Sequence, residues 1–332
     1  MKPKFYFMLK YAVLFACIGA VLTLSNSCKK DNNPDQPGTG GGTDTTHEED
    51  RSPFYGIPLT KRPAMVEYWG GCCYDRSSVG PLDAIPDGID VVNIFTLGIG
   101  RTAAGGWEFE HRGVSGQNEW SDVLTKAYAL QKRGIRVVAT SFAGSLVKLS
   151  AAAADSMAKV VRDSLDKWKL DGIDLDLEYS SGRTANIDSG VIALSKVAGP
   201  ASGTGRILSV VDYNNYNTAQ IKRSKQYLDY VQTMSYWNRA NQIRSIVKSY
   251  TDAIGSQQNV LIGVGAGCAI TAGQQTPAGE ELKIADTLRA SFQGAGMMEF
   301  IFGCSYHNKD QNGNITKDVS YTTNILARLK KS

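Results

Sequence analysis

The sequence predicts an α/β fold, a single-domain (β/α)8 TIM barrel, on three observations. Strand-like and helix-like segments alternate eight times through the body of the chain, the pattern of a parallel sheet with helical crossovers. About 280 residues lie beyond a low-complexity N-terminal stretch, a usual size for eight such units. One segment, Asp171-Gly172-Ile173-Asp174-Leu175-Asp176-Leu177-Glu178-Tyr179, alternates acid with aliphatic at a period of two. An open doubly wound sheet shares the alternation, but Gly70-Gly71 after the first strand is not followed by G-x-G-x-x-G, so dinucleotide binding has no support.

The first 27 residues read as an export signal. Lys2, Lys4 and Lys10 precede an uncharged apolar run, Tyr11 to Leu24, that is short for a transmembrane span. The small residues ahead of Cys28 are similar to a bacterial lipobox, which implies cleavage before Cys28 and lipidation of its thiol. Residues 28–52, rich in Pro, Gly, Thr and Asp, suit a flexible tether. The barrel is expected over 53–332. Cleavage would remove three lysines and no acids, taking the formal net charge from +4 to +1. No basic cluster interleaved with aromatics marks the remaining chain, so nucleic acid is not an expected partner. The expectation is a lipid-anchored monomer, exported and possible at the cell surface.

Eight strands are expected, in order: Met65–Trp69, Ile89–Phe95, Ile135–Ser141, the acidic stretch, Ile207–Val211, Tyr230–Tyr236, Val260–Val264 and Met298–Cys304. Helical periodicity fills most of the gaps. Trp120, Val123, Leu124 and Ala127 share one face, as do Met157, Val160, Val161, Leu165 and Trp168. Ile243, Ile246, Val247, Tyr250 and Ile254 precede Gly255, and Leu282, Ile284, Ala285, Leu288 and Phe292 precede Gly294. Two links are weaker: Thr218 to Gln226, and the connection after the first strand.

In a parallel sheet the helix side is apolar, so the acidic side of the fourth strand must face the barrel interior. Buried carboxylates have to be paired or neutralised, and barrel enzymes carry catalytic groups at the C-terminal strand ends, where Asp176 and Glu178 would lie. The four remaining cysteines, Cys72, Cys73, Cys268 and Cys304, match no zinc spacing, and neither a metal nor a cofactor is expected.

D-G-I-D-L-D-L-E resembles the D-x-x-D-x-D-x-E signature of glycoside hydrolase family 18, the chitinases and endo-β-N-acetylglucosaminidases, in all four acids. Val66-Glu67-Tyr68-Trp69, Asn93-Ile94-Phe95, Thr140-Ser141-Phe142-Ala143-Gly144 and Gln232-Thr233-Met234-Ser235-Tyr236 are similar to other strands of that family, in the right order. The resemblance implies retaining hydrolysis assisted by the substrate's own acetamido group. Glu178 would be the general acid and then the base. Asp176 would orient the acetamido group and stabilise an oxazolinium intermediate, Asp174 would share a proton with Asp176, and Tyr236 would bond the acetamido oxygen. Asp171 would be structural.

Tyr68, Trp69, Trp237 and Tyr306, at other strand ends, and Tyr179 beside the acid are candidates for stacking on sugar rings or supporting the site, as is Gln232. Leu177 stands where many chitinases have Trp, Ser180 where they have Pro, and Trp237 where they often have Asp. The seventh and eighth strands are too close in sequence for the insertion that deepens many chitinase grooves. These departures point to cleavage of the GlcNAc-β1,4-GlcNAc core of N-glycans, with chitin oligosaccharides as the alternative substrate and a non-catalytic glycan-binding barrel as a further one. The barrel order would gather Cys72, Cys73, Cys268 and Cys304 in one sector of the rim, as free thiols or with one disulfide.

Overall fold

A computed structural model describes residues 51–60, 64–70, 80–111, 119–178, 186–266, 275–306 and 317–331. The expected leader, most of the tether and Cys28 lie outside these residues, as do Tyr179, Cys72, Cys73 and Cys268.

Among the described residues nine strands form: β1 (Met65–Gly70), β2 (Val91–Arg101), β3 (Trp107–Glu110), β4 (Arg136–Phe142), β5 (Gly172–Leu177), β6 (Ile207–Tyr213), β7 (Tyr230–Met234), β8 (Val260–Gly265) and β9 (Gly296–Phe300). All but β3 pair in parallel in the order β1-β2-β4-β5-β6-β7-β8-β9, and β9 pairs back onto β1. The eight-stranded barrel expected from the alternation is therefore closed. β3 is an addition the sequence did not announce: β2 runs on past the barrel, and β3 folds back on it antiparallel, Ile99 opposite Phe109. The hairpin buries Phe109 against Trp168, ring centroids 5.6 Å apart, and Arg101 lies 3.7 Å from the Trp107 ring centroid.

The helices follow the apolar stripes. They are α1 (Trp120–Lys132), α2 (Ala151–Trp168), α3 (Asp188–Leu194), α4 (Thr218–Ser224), α5 (Ile243–Ile254), α6 (Glu280–Ser291), α7 (Phe302–Tyr306) and α8 (Ser320–Leu329). Ser150 caps α2 by accepting a hydrogen bond from the Ala153 N–H, and α5 stops at Gly255 in the left-handed conformation. The eighth strand needs correction. It ends at Phe300, and Cys304 and Tyr306 belong to the helical turn α7. Cys304 is in a disulfide; every other cysteine lies outside the described residues.

Two apolar layers sandwich the strands. Ile173, Leu175 and Leu177 join the larger cluster between strands and helices. Val66, Tyr68, Val138, Ile207, Val211, Tyr230, Leu261 and Met298 fill the barrel interior. Residues 51–59 form part of the N-terminal end of the barrel. Ser52, the last residue of the expected tether, is buried and donates a hydrogen bond to Asp171, and Arg136 lies over the Phe54 ring while donating to Ile57 O. Asp171 also accepts from the Val137 N–H at 2.6 Å and from Gln131 Nε2 at 2.8 Å, so the first acid of the motif ties the barrel base together. Gly172 follows it of necessity: at φ +152° a Cβ there would sit 2.2 Å from Ile207 O.

Candidate active site

The alternation of β5 resolves as the sequence implied. Asp174 and Asp176 project into the barrel, and Glu178 follows at the C-terminal strand end, exposed at the mouth.

Asp174 lies at the centre and is reached from four other strands. Its Oδ2 accepts from Tyr68 Oη of β1 at 2.6 Å and from Thr140 Oγ1 of β4 at 3.3 Å; its Oδ1 accepts from Ser209 Oγ of β6 at 2.7 Å and from Gln232 Nε2 of β7 at 3.0 Å. Asn93 of β2 braces Gln232 by donating to its Oε1 at 3.4 Å. Full burial raises the Asp174 pKa, and these four donors work against that rise. Such a ring fixes the carboxylate's position.

Asp176, one layer nearer the mouth, is 3% exposed, and its Oδ1 has no hydrogen-bond partner among the described residues. Burial pushes its pKa well up, and the charges of Glu178, Asp174 and Asp212 push it further. Loss of hydration also raises Glu178. Two neighbouring carboxyls that both resist ionisation favour a shared proton, and their titrations are coupled. A carboxyl kept protonated at an open strand end can donate that proton, while an unpartnered oxygen beside it can accept a bond from a ligand.

Aromatic residues flank the acids on two sides. Tyr236, just past β7, is buried and stacks on Phe300, 5.7 Å between centroids and 22° between planes. Phe300 also meets Phe95, which meets Phe142, a ring 42% exposed at the rim. On the β6–β7 side Tyr213 lies 5.6 Å from Trp237 and 5.7 Å from Tyr216, and its phenol feels the charge of Glu178.

Of the expected site residues, the structure gathers Glu178, Asp176, Asp174, Gln232, Tyr236, Tyr68 and Trp237 at the mouth or directly beneath it. Tyr68 is not an open platform: it is 1% exposed and its hydroxyl is committed to Asp174. Trp69 points the other way, because neighbours on a strand face opposite sides; its ring joins the helix-side core and its Nε1 donates to Gly80 O at 2.7 Å. Tyr306, on a helical turn, packs on Phe302 at 5.6 Å against the same outer core. Thr140, Ser209, Asp212, Tyr213 and Tyr216 went unrecognised in the sequence. Parity along β6 marks Ser209 and Tyr213 as inward, the one signal available for them. Among the described residues, no group of three or more His, Cys, Asp or Glu is placed to hold a metal ion.

Residues 67–266 match the family model of the endo-beta-N-acetylglucosaminidase EndoS TIM-barrel domain. No curated protein matches the chain. Among solved structures, apo endo-beta-N-acetylglucosaminidase from Cordyceps militaris is 21% identical with a TM-score of 0.63, over 81% of this chain and 92% of that one. A mutant of the same enzyme bound to fucosyl-N-acetylglucosamine-Asn gives 19% and 0.59 over 81% and 92%. The catalytic domain of a family GH18 chitinase from the fern Peteris ryukyuensis gives 18% and 0.60, over 80% and 99%. With the family model covering more than half of its length and the four acids of the signature on β5 and at its two ends, the chain belongs to the EndoS TIM-barrel domain family, within glycoside hydrolase family 18.

Proposed function

We propose that the protein is an endo-acting glycosidase that cleaves between the two N-acetylglucosamine residues of the N-glycan core, by retaining, substrate-assisted catalysis. The observation that carries this reading is the graded acid column of β5: Asp174 bonded by four donors, Asp176 with an open oxygen, Glu178 at the mouth.

Glu178, protonated, gives its proton to the glycosidic oxygen as that bond breaks. The acetamido oxygen of the same sugar attacks the anomeric carbon from the opposite face, closing an oxazolinium ring, while the Asp176 carboxylate accepts the acetamido N–H and offsets the positive charge. Tyr236, just past β7, donates a hydrogen bond to the acetamido oxygen. Asp174 takes up the charge change by sharing a proton with Asp176. Glu178, now ionised, removes a proton from water as the water opens the ring, and configuration is retained.

The preference for N-glycan over chitin is supported by Leu177 in the motif and by the short β8–β9 connection, Gly265 to Gly296, which contains α6 and has little length for an inserted domain. A relative of the same fold holding fucosyl-N-acetylglucosamine-Asn supports it too. Incubation with a native N-glycoprotein and, separately, with chitin oligomers tests the reading: released glycan is the expected result, shortened chitin oligomers alone would favour a chitinase, and binding without cleavage a lectin-like barrel. The same reading takes the chain as an exported monomer held to a membrane by lipid on Cys28. Metabolic labelling with a fatty acid should mark the wild-type chain and not Cys28→Ala.

A further inference from the structure

Asp212 is a fourth carboxylate of this region that the proposed mechanism leaves unused. It sits at the sixth position of β6, opposite Leu177 in register, fully buried. Val211 before it faces the interior and Val210 the helices, so Asp212 turns to the outer side of the sheet, behind the acid column. Its Oδ1 accepts from Asn217 Nδ2 at 2.8 Å and from the Asn217 N–H at 3.2 Å, and its Oδ2 accepts from Tyr250 Oη of α5 at 2.8 Å.

Asn217 uses the same amide group to donate to Leu177 O at 3.2 Å. That carbonyl belongs to the peptide joining Leu177 to Glu178. The orientation of this peptide plane sets the direction in which the Glu178 side chain leaves the strand, so the bond acts on the aim of Glu178. The turn that delivers Asn217 is itself specialised: Asn214 and Asn215 both adopt left-handed backbone, φ +52° and +61°, and the Asn215 N–H donates to Tyr250 Oη. Loop, helix and strand end thus meet on one carboxylate.

We propose that Asp212 is a positioning residue for the reaction, holding through Asn217 the peptide from which Glu178 projects and placing a negative charge behind Asp176. The proposal rests on the glycosidase reading given above. Electrostatics agree with it: the charge of Asp212 is among the causes that raise Asp176, and Asp212 is itself pushed up to about 6 by burial. The groups that act on Asp212 are the Tyr213 N–H on its own strand, Asn217 in the loop and Tyr250 on α5, with Asp176 on β5 acting by charge across the sheet. Of these only Asp176 and Tyr250 titrate, and Tyr250 is held well above its ordinary range. As pH rises through about 6, Asp212 gains its charge and proton loss from Asp176 becomes harder.

The test compares the full chain with Asp212→Asn and Asn217→Ala, by carbon NMR titration of the carboxyl groups and by pH–rate profiles on a glycopeptide. In Asp212→Asn the Asp176 carboxyl should titrate at lower pH, and the acidic limb of the profile, along which the Asp176 carboxylate forms, should move the same way. In Asn217→Ala, kcat should fall on the order of ten- to a hundredfold with KM changed less than about twofold, as for a displaced catalytic group. Should Asp212→Asn not fold, Tyr250→Phe takes its place: it removes a donor that favours the Asp212 carboxylate, so the Asp212 titration and its echo in the Asp176 signal should move to higher pH. An Asp176 titration unchanged from wild type, with kcat unchanged in Asn217→Ala, would overturn the proposal. If the wild-type chain turns over no glycan, the function reading fails, while the carboxyl titrations still decide this inference.

Discussion

Two clusters of buried carboxyls sit on this barrel, and they differ in what surrounds them. One is the column of β5 at the mouth. The other is on the helix side of the seam where the barrel closes, where Glu67 of β1 and Glu299 of β9 are register partners and both fully buried. Neither Glu67 oxygen meets a donor among the described residues; Glu299 Oε2 accepts from Thr322 Oγ1 at 2.9 Å, and its Oε1 has none. Burial and the charge of Glu299 raise Glu67 well above the ordinary range, and Glu281 of α6 adds to the negative field at Glu299. A single proton on Glu67 turns this clash into a hydrogen bond between the two carboxyls. Both clusters are thus buried and both are raised. What separates them is access: the seam pair is sealed under α7 and α8, whereas the β5 column ends at Glu178 in the open and has aromatic rings on either side. Buried acid by itself marks a place where protons are held; an open strand end makes it a place where one can be handed to a ligand.

Substitutions can break this contrast, and the largest effect should come from Glu178→Gln. Losing a general acid–base typically costs about 10²–10⁴-fold, so kcat should fall by that order, while binding of a glycopeptide, followed calorimetrically, persists. Turnover close to wild type would remove Glu178 from the mechanism. Next is Asp176→Asn, where losing one electrostatic stabiliser should lower kcat/KM by about 10²–10³-fold. The same change relieves a buried charge, so thermal unfolding at neutral pH should occur at a higher temperature than in wild type. An inactive variant that is also less stable would mean that Asp176 serves the fold.

Glu67→Gln sharpens the comparison from the other side. It supplies a permanent N–H to Glu299, so activity should stay within about twofold. The pH dependence of stability should change instead. Glu67 has a folded pKa above its unfolded value, so its contribution is fully present below the ordinary carboxyl range and is lost as pH rises through the raised value. One proton corresponds to about 1.4 kcal/mol per pH unit over that window. Denaturant titrations of wild type should show the decline and Glu67→Gln a flatter curve; parallel curves would contradict a proton held at the seam. The smallest effect is expected at the rim. Trp237→Ala should raise KM about fivefold, the equivalent of about 1 kcal/mol of lost ring contact, with kcat held, and an unchanged KM would place the substrate on the Phe142 side.

Much of this was legible in the sequence because the barrel's rules are periodic. The alternation of β5 located both the acids and the face they occupy, and the apolar stripes of α1, α2, α5 and α6 located the helices. The misreadings have physical reasons. Tyr68 and Trp69 cannot share a face of one strand, and parity alone would have sent Trp69 to the outer core. Tyr236 and Trp237, by contrast, lie beyond the end of β7 at Met234, where parity lapses and both reach the mouth. Tyr306 is placed at a strand end by the sequence because the expected eighth strand runs on to Cys304, and the mostly apolar stretch through Phe302 cannot announce that α7 begins there. Asp212 was invisible for another reason. Its partners, Asn217, Leu177 O and Tyr250, come from a loop, a second strand end and a helix, and no local spacing joins them.

The central claim is that the open acid column cuts the N-glycan core between its two N-acetylglucosamines. Mass spectrometry of an N-glycoprotein after incubation with the wild-type chain tests it most directly. The expected product keeps one N-acetylglucosamine, with any fucose on it, on each processed asparagine, and the same sample treated with Glu178→Gln stays intact. A glycoprotein left whole by wild type, or asparagines stripped of the entire glycan, would contradict the account.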